Sequence, residues 1–221
     1  MVPFETSRAR VFGNEVDVAT QAKRKTEDRR VQRTRGLLQQ ALMEMMIEKG
    51  YEATTVQDII DRANVGRATF YAHFADKQTL LGSRLEDLRA LLMEQQRLAL
   101  DARGGPGARA LGFSLAMLEH AHGHVRLWEA IVGRESGALV MQRLQRMFAD
   151  LAGIDLKALG FKGAPTQREL AAQFVAGAFM GVLRWWLDRG AKLPPPEVDE
   201  IVRRLVMQGL AAELDLRAKG G

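Results

Sequence analysis

Apolar positions along this 221-residue chain recur at intervals of three and four rather than two, the pattern of helices that each bury one face. Leu37, Leu38, Ala41, Leu42, Met45 and Met46 predict a first helix running from near Asp28 or Thr34 to Lys49, with Gly50 ending it. Val56, Ile59, Ile60 and Ala63 predict a short second helix, and Phe70 and Phe74, four apart, a third with both rings turned inward. Leu80, Leu81, Leu85, Leu88, Leu91 and Leu92 carry a long helix from Asp76 to about Leu100, which Gly104-Gly105-Pro106-Gly107 breaks. Five more helices are predicted at about 107–121, 124–132, 136–152, 166–189 and 195–216, with Gly153, Gly160 to Pro165 and Gly190 to Pro196 between the later ones. No strand-like alternation or internal repeat is visible. The expected fold is all-α, with about nine helices in two parts.

The second and third predicted helices carry polar detail that the others lack. Thr54 and Thr55 precede the apolar pattern, and Asp58 stands three residues after Thr55. A Thr hydroxyl there can accept from an orphan backbone N–H, and the acidic residue suits the positive end of the helix dipole. Asn64 tolerates the left-handed conformation that ends a helix sharply. Val65 can plug the corner, and Gly66 is an acceptable cap for the next helix. Arg67, Thr69, Tyr71 and His73 then project away from the phenyl rings, while Ala68 and Ala72 keep the surface low. Two short helices, a tight turn and a polar second helix make a helix-turn-helix. A major groove admits one helix, with Arg suited to guanine and Thr or Ala to the thymine methyl. Lys77, in the first turn after Asp76, is placed to meet a phosphate.

The block from Thr34 to Leu81 resembles the TetR/AcrR family of bacterial transcription regulators. The likeness is carried by Lys49-Gly50-Tyr51-Glu52-Ala53-Thr54-Thr55-Val56, Ile59, Ala63, Val65, and Ala68-Thr69-Phe70-Tyr71-Ala72-His73-Phe74 followed by Lys77 and Leu80-Leu81. The resemblance implies that Thr55 caps its helix and binds phosphate, and that Gln57 contacts a base or the backbone. It implies that Arg67 and Thr69 read bases, that Ala68 packs against the groove, and that Tyr71, His73 and Lys77 contact phosphates. Gly66 departs from the common Ser or Thr, which removes one candidate phosphate bond. Asn64 replaces the usual turn glycine. The resemblance further implies a homodimer on a palindromic operator in double-stranded DNA, a four-helix dimer bundle from the last two helices, and repression relieved by a small-molecule effector.

Composition narrows the alternatives. The formal net charge is +5 with no Cys, which allows a polyanion partner and excludes disulfides, thiolate chemistry and Cys-ligated zinc. Seven of the 13 residues from Lys23 to Arg35 are basic and two acidic, a local excess equal to the charge of the whole chain. That run reads either as a solvated tail or as a strip following DNA phosphates. The first residues contain no apolar leader core, and Phe174 to Leu183, closed by Arg184, is read as too short to span a bilayer. A cytoplasmic protein without a membrane partner is expected. The organisation expected is a mobile basic tail over 1–27, a helix-turn-helix domain over 28–75, and an effector-binding and dimerisation domain over 76–221.

In the C-terminal part, Val198, Ile201, Val202, Leu205, Val206, Gly209 and Leu210 form one stripe. Ala172, Ala176, Gly177 and Gly181 permit close helix approach in the preceding helix, followed by Trp185 and Trp186. These read as a dimer interface, although the same stripes could pack inside one chain. Phe113, Met117, His120, Trp128, Phe148 and Phe174 are candidates to line a partly apolar effector pocket, or are plain core. His120, His122 and His124 invite a metal reading, but Gly123 weakens the helix and no carboxylate cluster accompanies them. No metal or cofactor is expected. No Ser–His–Asp motif or phosphate loop is present, so an enzyme is not expected either. Control by a protein partner and non-specific DNA compaction are the alternative readings.

Overall fold

The computed structural model describes residues 12–103, 105, 109–131 and 135–211. Among them run nine helices: α1 (Phe12–Lys49), α2 (Val56–Ala63), α3 (Arg67–His73), α4 (Lys77–Asp101), α5 (Gly112–Gly123), α6 (Val125–Ile131), α7 (Glu135–Ala158), α8 (Pro165–Asp188) and α9 (Pro195–Gly209). None of the described residues forms a strand. Helices α1 to α3 make a small head, α4 leads away from it with α5 and α7 packed against it, α6 lies against α1, α8 packs on α7, and α9 packs on α5 and α8.

Three boundaries differ from the sequence expectation. Helix α1 begins at Phe12 rather than near Asp28 or Thr34. Ala19, Gln21, Ala22, Lys23, Arg24 and Lys25 are strong helix formers without an amphipathic repeat, so propensity extends the helix where periodicity gives no signal. The expected tail therefore overlaps α1, and residues 1–11 lie outside the described residues. Helix α5 starts at Gly112, not near 107, because Leu111 before it is left-handed (φ 52°). A Cβ at Gly112 would fall 2.4 Å from that of Ala99 and 2.9 Å from Gln96 Cα, so only glycine lets α5 begin against α4. Helix α7 continues through Gly153 to Ala158. The glycine lies beside α8, where its Cβ would stand 3.9 Å from that of Ala172. The predicted end of the last helix at 216 lies outside the described residues.

One hydrophobic core runs from Leu38 in α1 to Leu210 after α9. In its C-terminal half Phe113, Phe148 and Phe179, from α5, α7 and α8, are fully buried. Their ring centroids are 5.0–5.9 Å apart, two pairs edge-on and one stacked, and such pairs add to the area each ring removes from water. Polar bolts cross the same region. Gln96 donates to Leu151 O at 2.6 Å. The Leu111 N–H donates to Asp155 Oδ2 at 2.8 Å. Arg203 joins Asp199 at 2.7 Å and also reaches Ala110 O. Asp155 Oδ1 is buried without a partner, and burial pushes this carboxyl up to about 6 despite the opposing bonds from Gln96 and Leu111.

Helix α8 corrects the reading of its apolar segment. The whole 24-residue helix is long and apolar enough to cross a membrane by length and composition alone. Its inner face, however, is buried on the core through Val175, Phe179, Leu183 and Trp186.

Candidate nucleic-acid interface and effector cavity

The head owes its shape to local bonds. Thr55 caps α2 by accepting from Asp58 N–H at 3.2 Å, and its own N–H donates to Asp58 Oδ2 at 2.7 Å, which completes a capping box. Lys49 lies 2.7 Å from the same carboxylate and, with the Thr55 bonds, holds it well below the usual carboxylate range. Asn64 adopts φ 52°, ψ 49°, and the Val65 N–H closes on Ile60 O at 3.1 Å. This is the left-handed helix end expected of Asn. Gly66 caps α3 with extended backbone and no side-chain bond. Phe70 and Phe74 are buried beneath α3, as their spacing requires.

This scaffold leaves Thr55, Gln57, Arg67, Ala68, Thr69 and Tyr71 exposed and His73 half-buried. Arg67 is held loosely, 3.4 Å from Gln57 Oε1 and 3.5 Å from the Tyr71 hydroxyl, with no carboxylate partner among the described residues. Gln57 in turn donates to Asp61 at 2.8 Å. A guanidinium oriented by neutral groups keeps its charge available to an acceptor outside the protein. Arg29, Arg30 and Arg33 are exposed on α1, and the Arg35 guanidinium stands 4.9 Å over the Phe74 ring, so the basic strip approaches the end of α3.

Lys77, which the resemblance implies as a phosphate contact, makes its bonds inside the chain in this structure. Its ammonium donates to Tyr51 O at 2.9 Å, Glu52 O at 3.3 Å and Thr54 O at 2.8 Å, and lies over the Tyr51 ring. All three donors are engaged inside the chain. Lys77 ties the start of α4 to the loop before α2.

A cavity of about 80 Å³ lies between the head and the C-terminal helices. Met43 and Met46 of α1 share its wall with Leu81, Arg84, Leu85 and Leu88 of α4, and with residues of α5, α6 and α7. Of the six residues expected to line a pocket, Met117, His120 and Trp128 do so. Phe113 and Phe148 belong instead to the packed ring cluster, and Phe174 is 60% exposed on the outer face of α8. His120 is pulled down to about 4 by burial, then by His124 and Arg84, so its ring is neutral at pH 7. Its ring stacks on that of His124 at 4.5 Å, and His122 stacks on Trp186. Among the described residues no three metal-ligating side chains converge.

A family model described as bacterial regulatory proteins of the tetR family matches residues 38–83, and one for a transcriptional regulator C-terminal region matches residues 110–208. The chain belongs to the TetR family of bacterial transcriptional regulators. It is 31% identical over 189 residues to YxbF, an uncharacterised helix-turn-helix regulator of Bacillus subtilis, a match covering 85% of this chain and 48% of that protein. The chain thus spans about half the length of that relative. It is 24% identical over 189 residues to the transcriptional repressor KstR2 of Mycobacterium tuberculosis, covering 81% of this chain and 94% of the relative. The solved complex of SmeT with triclosan superposes with a TM-score of 0.58 at 16% identity, covering 80% of this chain and 90% of that one.

Burial divides the residues expected at the dimer interface of this TetR-family chain. Ala176 of α8 and Val198, Val202, Val206 and Leu210 along α9 are buried within the single chain, so the α9 stripe is the inner one, facing α8 and α5. The outward residues are Gly177, Gly181, Trp185, Leu205 and, in part, Ile201. Sequence reasoning missed Leu170, which is 74% exposed and continues the outer stripe of α8 with Phe174 and Trp185. Its spacing of four from Phe174 was the available signal.

Proposed function

We propose that this chain is a homodimeric repressor that reads a palindromic operator with α3 and is released by a small molecule entering the cavity. The single observation that carries the reading is the shared wall. Met43 and Met46 belong to the head, while Met117, Trp128 and Leu144 belong to the C-terminal helices. A ligand that outgrows this chamber of about 80 Å³ presses on that wall, and in this reading α1 and α4 move with it. Lys77 carries a shift of α4 to the loop before α2 through its three carbonyl bonds. Release follows if the effector binds the displaced arrangement more tightly than the DNA-competent one.

In this reading Arg67 and Thr69 contact bases, Ala68 lies against the groove, Gln57 contacts a base or the backbone, and Thr55, Tyr71 and His73 meet phosphates. The exposed outer stripe of Leu170, Phe174, Trp185 and Leu205 packs on a second copy. Two-fold symmetry then spaces the α3 helices for half-sites roughly 34–36 Å apart. The domain division falls at Asp76, which caps α4 by accepting from the Thr79 N–H at 2.6 Å. KstR2 is described as a repressor and SmeT as a complex with triclosan, and both support the assignment of output and control.

The deciding experiment is selection of bound sequences from a random duplex pool at physiological salt, with wild type and Leu205→Glu compared. A palindrome recovered by wild type, and lost or reduced to half-sites by Leu205→Glu, is expected. Recovery of no consensus by wild type would overturn the reading. Salt dependence alone cannot mimic the expected result, because non-specific attraction has no sequence preference.

A further inference from the structure

The cavity is apolar along most of its wall, and its polar side chains are Arg84, His120, His124 and Trp128. Trp128 lines it, and the indole Nε1 of this residue is buried and has no hydrogen-bond partner. An indole nitrogen can only donate, and a buried donor left unpaired is costly. Arg84, half-buried in the same wall, has no carboxylate partner among the described residues. Arg84 shares this wall with His120, whose protonation it helps to disfavour after burial and His124.

The cavity also adjoins an open groove of about 500 Å³ between α1 and the α5–α6 corner. Met43, Arg84, His124 and Leu127 line both spaces. The groove wall holds Arg126 as well, and its carboxylate, Glu44, is already taken by Arg62 at 3.0 Å and Gln40 at 2.9 Å. An apolar chamber therefore joins a donor-rich, net positive rim at Arg84.

We propose that the effector is a small amphiphilic organic anion, its apolar body in the chamber and its acidic head at Arg84. Acceptor oxygens on such a molecule suit both Arg84 and the unpaired Trp128 N–H, whereas an ammonium suits neither. The chamber is about 80 Å³, roughly half the volume of an apolar cavity, about 150 Å³, that takes up benzene. A short chain or a ring fits by moving Met43, Met46, Met117 or Met141, which are the wall's most adaptable side chains.

This inference rests on reading the chamber as the effector site, so ligand binding and DNA release are measured separately. Hexanoate, 1-hexanol and hexylammonium share one tail length and differ in the head. Their affinities for the full chain are followed by tryptophan fluorescence and by the shift in melting temperature, with wild type, Arg84→Gln and Trp128→Phe. Hexanoate is expected to bind about tenfold or more tighter than hexylammonium, as a charge-assisted bond allows. Arg84→Gln is expected to remove most of that preference while leaving 1-hexanol unchanged, and Trp128→Phe to weaken hexanoate by a smaller factor. Hexylammonium binding as tightly as hexanoate, an unchanged preference in Arg84→Gln, or no binding by any of the three would overturn the proposal. Hexanoate binding as expected without altering DNA affinity would keep the ligand class and overturn the effector reading. Release of DNA by hexylammonium alone would do the reverse.

Discussion

Helices α2 and α3 have 8 and 7 residues, while α7 and α8 have 24 each. Short helices begin at a disadvantage, because fixing the first turn costs more than its bonds return. The head offsets this with devices that act within a few residues: the Thr55–Asp58 box, the left-handed Asn64 and the two phenyl rings under α3. The C-terminal half holds its long helices by burial at long range, through Phe113, Phe148 and Phe179. The difference separates two kinds of damage. Exposed residues of the head change what is read and leave the fold intact. Residues at the centre of the C-terminal half change whether there is a fold.

The sharpest test of that separation is Phe179→Ala. Removing a fully buried ring from the cluster is expected to cost about 3–5 kcal/mol of stability, seen as a lower denaturant midpoint. A loss below about 1 kcal/mol would mean that burial in this half is not what holds it. Asp155 adds a pH dependence to the same half. Burial pushes its folded carboxyl up to about 6 from the ordinary 3.8, so the folded state favours the protonated form. The associated stability is full below about 4 and is lost as pH rises through about 6, a total on the order of 3 kcal/mol. Asp155→Asn should flatten the melting temperature over that window; an unchanged profile would assign the slope to other groups.

Lys77→Ala bridges the two halves. Loss of its three carbonyl bonds is expected to lower stability by about 1–3 kcal/mol and to weaken the response of DNA affinity to ligand. A purely phosphate-binding Lys77 would instead leave stability untouched and reduce the salt slope of DNA binding by about one. Arg67→Ala is expected to leave the melting temperature within about half a kcal/mol equivalent, and to cost about 1–3 kcal/mol at one base position only. Equal weakening on all sequences would remove its base-reading role. The smallest effect is expected from Gly66→Ser. Its backbone is extended and its Cβ would meet only Thr69 Oγ1, at 3.8 Å. A hydroxyl there should add a few tenths of a kcal/mol to stability, measured by denaturant titration.

The head was legible in the sequence because its determinants are adjacent in the chain. Capping residues, a tolerated left-handed position and a four-residue ring spacing carry their own geometry. Lys77 was legible as a position, while its three bonds to loop carbonyls were not, since a lysine in the first turn can reach outward to phosphate or back to the loop. On α8, Phe174 and Phe179 are chemically alike and five apart; α7 decides which one turns inward. On α9, Val202 and Val206 form a stripe at i, i+4, and only the packing of α5 and α8 shows that this stripe is the inner one. Helix α1 extends to Phe12 on intrinsic preference, which leaves no periodic trace.

Met43 and Met46 line the chamber while belonging to the helix that braces α2. If the chamber takes the effector as proposed, selection cannot tune ligand range and basal repression independently in this chain. A substitution that widens the chamber at either methionine also loosens the mounting of the head. Variants that accept a broader set of inducers should accordingly be the leaky ones, and their restoration should come from second changes in α1 or α2 rather than in the chamber.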